Sequence, residues 1–298
     1  MISQQSEKVK KTMLCNKNLE ELLNTPLDEK RENWEKLASS AIIPDDIIIK
    51  KAVINNTSIE WISTDKSNMG NVIVYFHGGG FCQGSINTHR RLAAHIVKST
   101  DLTVLIFDYP LAPESPYPDA LNCSKGIYEY LLNNDTIENI IFAGDSAGGG
   151  LALALTLLLK HLNIPLPKGI FLFSPFLDLT LSGDTIKTCA QKDPICFKDD
   201  LKMDADYYVG TESHYNPFIS PIYGDITGFP PLLIQVGSDE ILYSDSTRFA
   251  NKARESQVNI RLSVWEGMWH VFQAWIDDIP EAADALKEVS WFIKNVLK

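Results

Sequence analysis

The chain predicts an α/β fold with a mainly parallel central sheet, helices on both faces and a helical cap. Short apolar runs at 72–76, 104–107, 140–143, 170–173, 232–236 and 260–264 are bounded by turn residues and separated by helix-length segments. Strands alternating with helices give a parallel sheet covered on both faces. Two stretches, the first forty residues and 181–216, break this rhythm and are predicted to form the cap. A single large α/β domain with a cap fits within 298 residues, and no composition break marks a second one.

In chain order, the first forty residues are polar and helical in character, with a thin apolar stripe at Leu19, Leu22, Leu23, Trp34 and Leu37. From residue 46 the pattern becomes β, with Ile47, Ile48, Ile49, Val53 and Ile54 before a turn at Asn55-Asn56 and Ile59, Trp61 and Ile62 after it. Helices are predicted at 89–99, 118–132, 146–161, 244–256 and 281–297. The 151–159 run is too short to span a bilayer and reads as a central helix packed on the sheet. The 181–216 stretch is polar, carries Tyr207 and Tyr208, and reads as an insertion folded over a pocket.

The net charge of −11 disfavours nucleic acid or anionic lipid as partner, since both call for clustered Lys and Arg. A hydrophobic fraction of 45% with 22% charged residues belongs to a globular protein that buries a sizeable core. The cysteines at 15, 82, 123, 189 and 196 lack metal-site spacing, and their odd number suits free thiols. The start, Met1-Ile2-Ser3-Gln4-Gln5, lacks the apolar core of a secretory signal, so a cytoplasmic address is expected.

The chemistry is concentrated in two glycine-rich junctions. At 140–150 an apolar strand runs into Gly144-Asp145-Ser146-Ala147-Gly148, a turn in which flanking glycines avoid collisions and Ser146 stands outward as a nucleophile. At 72–81 another apolar strand ends in His77-Gly78-Gly79-Gly80-Phe81, whose backbone N–H groups are free to point into a cleft, as an oxyanion hole requires. A serine needs a histidine to take its proton and a carboxylate to orient that histidine. Of the six histidines, His77 belongs to the glycine loop, and of the other five only His270 follows a strand. The acid follows the 232–236 strand, where Asp239 and Glu240 are adjacent and spacing alone leaves both open. The order Ser, acid, His is that of an α/β-hydrolase arrangement.

These blocks, together with DYPLAPESPYP at 108–118, SPFLDLT at 174–180 and FPPLLIQVGSDEIL at 229–242, resemble the bacterial hormone-sensitive-lipase-like esterases of the α/β-hydrolase fold, from about Val72 to the C-terminus. Matching the family's acid-x-Leu motif on Leu242 selects Glu240, with Asp239 as fallback. The resemblance implies a serine esterase with Ser146, Glu240 and His270 as triad. Gly78, Gly79 and Ala147 are then the oxyanion hole, with no metal or organic cofactor. His77 is expected to support the glycine loop, and Asp145 and Asp108 to be structural. The expected partner is a small acyl ester or a lactone, with Tyr207, Phe218 and Trp269 as pocket residues and a homodimer through 260–264. An amidase and a non-catalytic ligand-binding relative are the alternatives. Two positions depart from the family: Pro110 stands where arginine is usual, and Val271 where glycine is usual.

Overall fold

The computed structural model describes residues 2–16 and 23–298; Leu19 and Leu22 of the expected N-terminal stripe lie outside them. Eight strands form one sheet: β1 (Ile48–Ile54), β2 (Thr57–Ser63), β3 (Asn68–Phe76), β4 (Leu102–Phe107), β5 (Asn139–Asp145), β6 (Gly169–Phe173), β7 (Leu232–Gly237) and β8 (Ile260–Trp265). Their spatial order is β1-β2-β4-β3-β5-β6-β7-β8. The β1–β2 and β2–β4 pairs are antiparallel and all others parallel. The β1–β2 hairpin turns on Asn55 and Asn56, at φ 50° and 64°, the left-handed conformations that Asn tolerates in a two-residue hairpin.

Side chains alternate between two cores. Val72, Val74, Phe76, Phe142, Leu172 and Ile234 face one side and Ile73, Tyr75, Ile141, Phe171, Phe173 and Leu233 the other. The first side is covered by α4 (Asp119–Leu132), α5 (Ser146–His161) and α8 (Tyr243–Glu255), the second by α3 (Ile86–Thr100) and α9 (Pro280–Val296). The 151–159 run lies within α5, against the sheet, and no helix among the described residues is long and apolar enough to cross a membrane. Because β3, β5, β6, β7 and β8 run parallel, their carboxyl ends share one edge, where open α/β sheets hold their ligands.

Among the described residues, four helices lie outside these layers: α1 (Gln4–Asn16), α2 (Leu27–Ser39), the single-turn α6 (Thr185–Thr188) and α7 (Lys198–Val209). Ile2, Val9 and Met13 pack on a cluster of Trp269, Phe272, Ala282 and Ala285. The Ser3 amide and Ser6 hydroxyl both donate to Glu281 at 2.6 Å, fastening α1 to the start of α9.

Candidate active site

Strand β5 ends at Asp145 and α5 begins at Ser146, which holds φ at 50°. A non-glycine residue in this region carries strain that the surroundings must sustain. The turn is tight enough that a Cβ on Gly148 would lie 2.0 Å from the Phe76 carbonyl oxygen, so no larger residue fits two places after the serine. The Phe176 amide donates to the Ser146 carbonyl at 2.9 Å, joining the elbow to the loop after β6.

The glycine loop after β3 is held from several sides. Gly79 and Gly80 have φ of 120° and 63°, values that favour glycine. The Gly78 amide, expected to face the oxyanion, instead donates to Asp145 Oδ1 at 3.0 Å. That carboxylate also accepts from the Tyr75 hydroxyl at 2.8 Å and lies 3.3 Å from His89 Nε2. The Gly78 hydrogen is thus directed at the buried carboxylate behind the loop. Among the described residues no hydrogen bond takes up the amides of Gly79 or Ala147. Asp145 and Asp108 act within the scaffold, Asp108 accepting from the Ile86 amide at the start of α3.

His77 Nδ1 is 2.8 Å from the Gly78 carbonyl, and the ring stacks on Tyr109 at 4.1 Å. Burial, reinforced by His89, lowers its pKa to about 3, so at neutral pH the ring is uncharged and Nδ1–H donates to that carbonyl. Pro110 carries no guanidinium, and the fork that meets this loop comes from α2. Arg31 donates to the carbonyls of Cys82 at 2.7 Å and Ala112 at 2.8 Å while pairing with both oxygens of Glu114.

The two adjacent acids face opposite ways. Asp239 pairs with Lys10 of α1 and lies 3.9 Å from Lys192. Glu240 is fully buried; its Oε1 is 3.5 Å from His270 Nδ1, and its Oε2 accepts from the Gly237 amide at 2.9 Å and the Ser174 hydroxyl at 2.7 Å. Ser174 Oγ in turn accepts from the Val271 amide at 3.0 Å. Val271 holds φ at 50°, an outlier for a β-branched residue and the conformation for which glycine is the ordinary choice.

Behind the imidazole lies a part of the 181–216 insertion to whose residues the sequence assigns no individual role. Asp193, fully buried, accepts from the Ile195 and Cys196 amides on Oδ1 and from the Ile241 amide on Oδ2, clamping the insertion to the residue after Glu240. Burial raises the Cys196 thiol, which contacts His270, to about 11. For His270, burial disfavours the imidazolium, but Cys196 and Glu240 outweigh it and hold the pKa well above the ordinary value. Among the described residues no group of three or more His, Cys, Asp and Glu is placed to hold a metal ion. Of the expected pocket residues, Tyr207 is exposed and Trp269 is fully buried against Trp275. Phe218 is half-buried near His161.

The family model described as alpha/beta hydrolase fold matches residues 73–274. The chain belongs to that family. An esterase of Acinetobacter venetianus is 40% identical over 227 residues, 76% of this chain and 75% of that protein. An acetyl-hydrolase of Streptomyces hygroscopicus is 30% identical over 88% of this chain and 86% of its own. A crystal structure of an esterase from the bacterial hormone-sensitive lipase family superposes with a TM-score of 0.93 at 32% identity over the whole of both chains. That of the esterase EstE5 soaked with p-nitrophenyl butyrate does so at 0.94 and 33%, covering 99% of each. This chain is thus a hormone-sensitive-lipase-like serine hydrolase of carboxylic esters.

Proposed function

We propose that this esterase hydrolyses small acyl esters with Ser146 as nucleophile, His270 as general base and Glu240 as the carboxylate that orients His270. The observation that carries the reading is the path of direct contacts through the loop after β6: the Phe176 amide bonds Ser146, and Ser174 bonds both Glu240 and the residue after His270. Ser146 Oγ bonds to the acyl carbon as its proton passes to His270. The carbonyl electron pair moves onto oxygen, where the amides of Gly79 and Ala147 receive it, each such donor being worth about 10²–10³ in turnover. Collapse expels the alkoxide, which takes the proton from His270. Water, activated by the same imidazole, then frees the acid. Gly78 supports this from behind, through Asp145.

The relatives support short acyl groups, one being an acetyl-hydrolase and another having been soaked with p-nitrophenyl butyrate. Five free thiols accord with a reducing cytoplasm. A homodimer through β8 belongs to the same proposal: β8 is an edge strand, Val264 on it is exposed, and light scattering at twice 33.4 kDa is expected.

The test compares p-nitrophenyl acetate and butyrate with wild type and Ser146→Ala. A loss of about 10⁴-fold or more in kcat is expected, whereas equal background rates in both would establish a non-catalytic binder. A matched anilide and γ-butyrolactone, run alongside, distinguish ester hydrolysis from amidase and lactonase activity.

A further inference from the structure

Two polar side chains on α7 each keep one buried polar atom without a hydrogen bond, although the Asp204 carboxyl also meets the Cys82 thiol. Asp204 Oδ1 and the Tyr208 hydroxyl are buried and make no hydrogen bond among the described residues, in side chains whose residues are 6% and 1% exposed. Four positions apart, they share one helix face. That face rests on the glycine loop: a Cβ on Gly80 would lie 2.0 Å from Asp204 Oδ2, and the Tyr208 ring stacks on Phe81 at 3.8 Å with an 8° interplanar angle. The Cys82 thiol, 3.7 Å away, donates to the Asp204 carbonyl. Gly79, whose amide is free for the oxyanion, immediately precedes Gly80.

An unpaired buried hydroxyl or carboxyl costs about 1–3 kcal/mol, and buried polar atoms are overwhelmingly paired in folded proteins. Leucine and phenylalanine would fill the same spaces without that cost, so packing does not account for the pair. We propose that Asp204 and Tyr208 form a polar subsite that selects esters carrying a hydroxyl group near the scissile carbonyl. This rests on the reading of the site as a serine esterase and adds a substrate class to it.

The charged surroundings of Asp204 favour a neutral guest. Burial takes its pKa to about 8; Asp200 pushes in the same direction and Lys30, which is 2.8 Å from Asp200, pulls against it. At neutral pH Asp204 is a carboxylic acid with one O–H donor and acceptor capacity beside it. A substrate hydroxyl accepts from the acid and donates to Tyr208, or the reverse. An alkyl chain leaves both unpaired, and sites built around such bonds reject the analogue that lacks them.

The experiment measures kcat/KM for ethyl 3-hydroxybutyrate and for 2-hydroxyethyl butyrate, each divided by the value for ethyl butyrate. Wild type is expected to prefer one hydroxylated ester by about 10-fold or more, which also tells whether the group lies on the acyl or the alcohol side. The ratio should fall to about one in Asp204→Leu, fall several-fold in Tyr208→Phe, and largely persist in Asp204→Asn. A ratio near one in wild type, or one that Asp204→Leu leaves unchanged, overturns the subsite. A second arm is independent of turnover: thermal shifts of Ser146→Ala with the same three esters, with and without Asp204→Leu. A hydroxyl-selective shift lost on Asp204→Leu supports the subsite; no selectivity overturns it. If wild type hydrolyses no ester, the esterase reading fails while this arm still decides the subsite. Should Asp204→Leu fail to fold, Tyr208→Phe and Asp204→Asn carry the comparison.

Discussion

The Ser174 hydroxyl donates to Glu240 Oε2 at 2.7 Å and, through its other face, accepts the amide of Val271 at 3.0 Å. One oxygen thus sets the position of the proposed acid and of the backbone that carries the proposed base. Ser174 itself has φ 47°, a conformation in which glycine is unstrained. Ser174→Gly should therefore fold, with relieved backbone strain offsetting part of the lost hydrogen bonding. We expect kcat to fall about 10-fold with little change in KM. In a Glu240→Gln background the same change should have a much smaller effect, because the residue acts through Glu240. Additive losses in that double-mutant cycle would refute the positioning role.

Glu240 and Asp239 make opposite demands on mutagenesis. Glu240→Gln should lower turnover by about 10³–10⁴-fold, by analogy with loss of the orienting acid in other triads. Asp239→Asn should leave turnover within a few-fold and act on the anchoring of α1 through Lys10. Steady-state kinetics and melting temperatures of the two variants decide this, and the reverse ranking would move the acid by one residue.

The pH profile follows from His270. Its pKa is held above the ordinary value, so the imidazole is protonated and unable to accept a proton until the pH passes that raised value. The acid limb of kcat/KM should accordingly lie above the ordinary histidine value of about 6.5. Removing the Glu240 charge withdraws support from the imidazolium, so in Glu240→Gln the limb should move to lower pH. A limb that stays in place would show that Glu240 does not stabilise the cation.

Arg31 links the N-terminal segment to the glycine loop through two carbonyls and Glu114. Arg31→Ala should cost about 1–3 kcal/mol in urea unfolding and lower kcat several-fold. Arg31→Lys should rescue little, since an ammonium cannot span the same acceptors.

Stability should fall as the pH rises from about 4 to 7. Asp245, buried and accepting from the Leu177 and Asp178 amides, is raised to about 7, chiefly by burial, and Asp204 to about 8. In that window the folded state keeps protons that the unfolded chain, near 3.9, releases. Each group then contributes a loss of up to about 1.4 kcal/mol per pH unit. Asp145 and Asp178, held below the ordinary value, act in the opposite sense at lower pH. Comparing Asp204→Asn and Asp245→Asn with wild type isolates the two, and equal slopes in all three would exclude them.

Much of this architecture was legible in the chain because strands covered on both faces are apolar runs and the helices between them are long. All eight strands lie where apolar residues cluster, and α5 spans the predicted 146–161. Helix α3 starts at Ile86 rather than 89 because Ser85 and Thr88 form a reciprocal cap whose bonds precede the apolar stripe. Other features depend on contacts between distant residues. Gly78 is claimed by a carboxylate 67 positions away, which no local pattern announces. Adjacent acids point apart because one follows the strand end inward and the other meets α1. Tyr207 and Tyr208 share a composition but not a helix face, and the insertion has too little periodicity to tell them apart. Ser174 lies within a matched block, yet its hydroxyl joins two loops through contacts with residues 66 and 97 positions away.

The arginine at position 31 also constrains how this chain can be recombined. A chimaera whose first forty residues lack an arginine at position 31 would bring no guanidinium to the carbonyls of Cys82 and Ala112. The segment and the loop form a single exchangeable unit, and grafts that cut between them should lose order at the glycine run first.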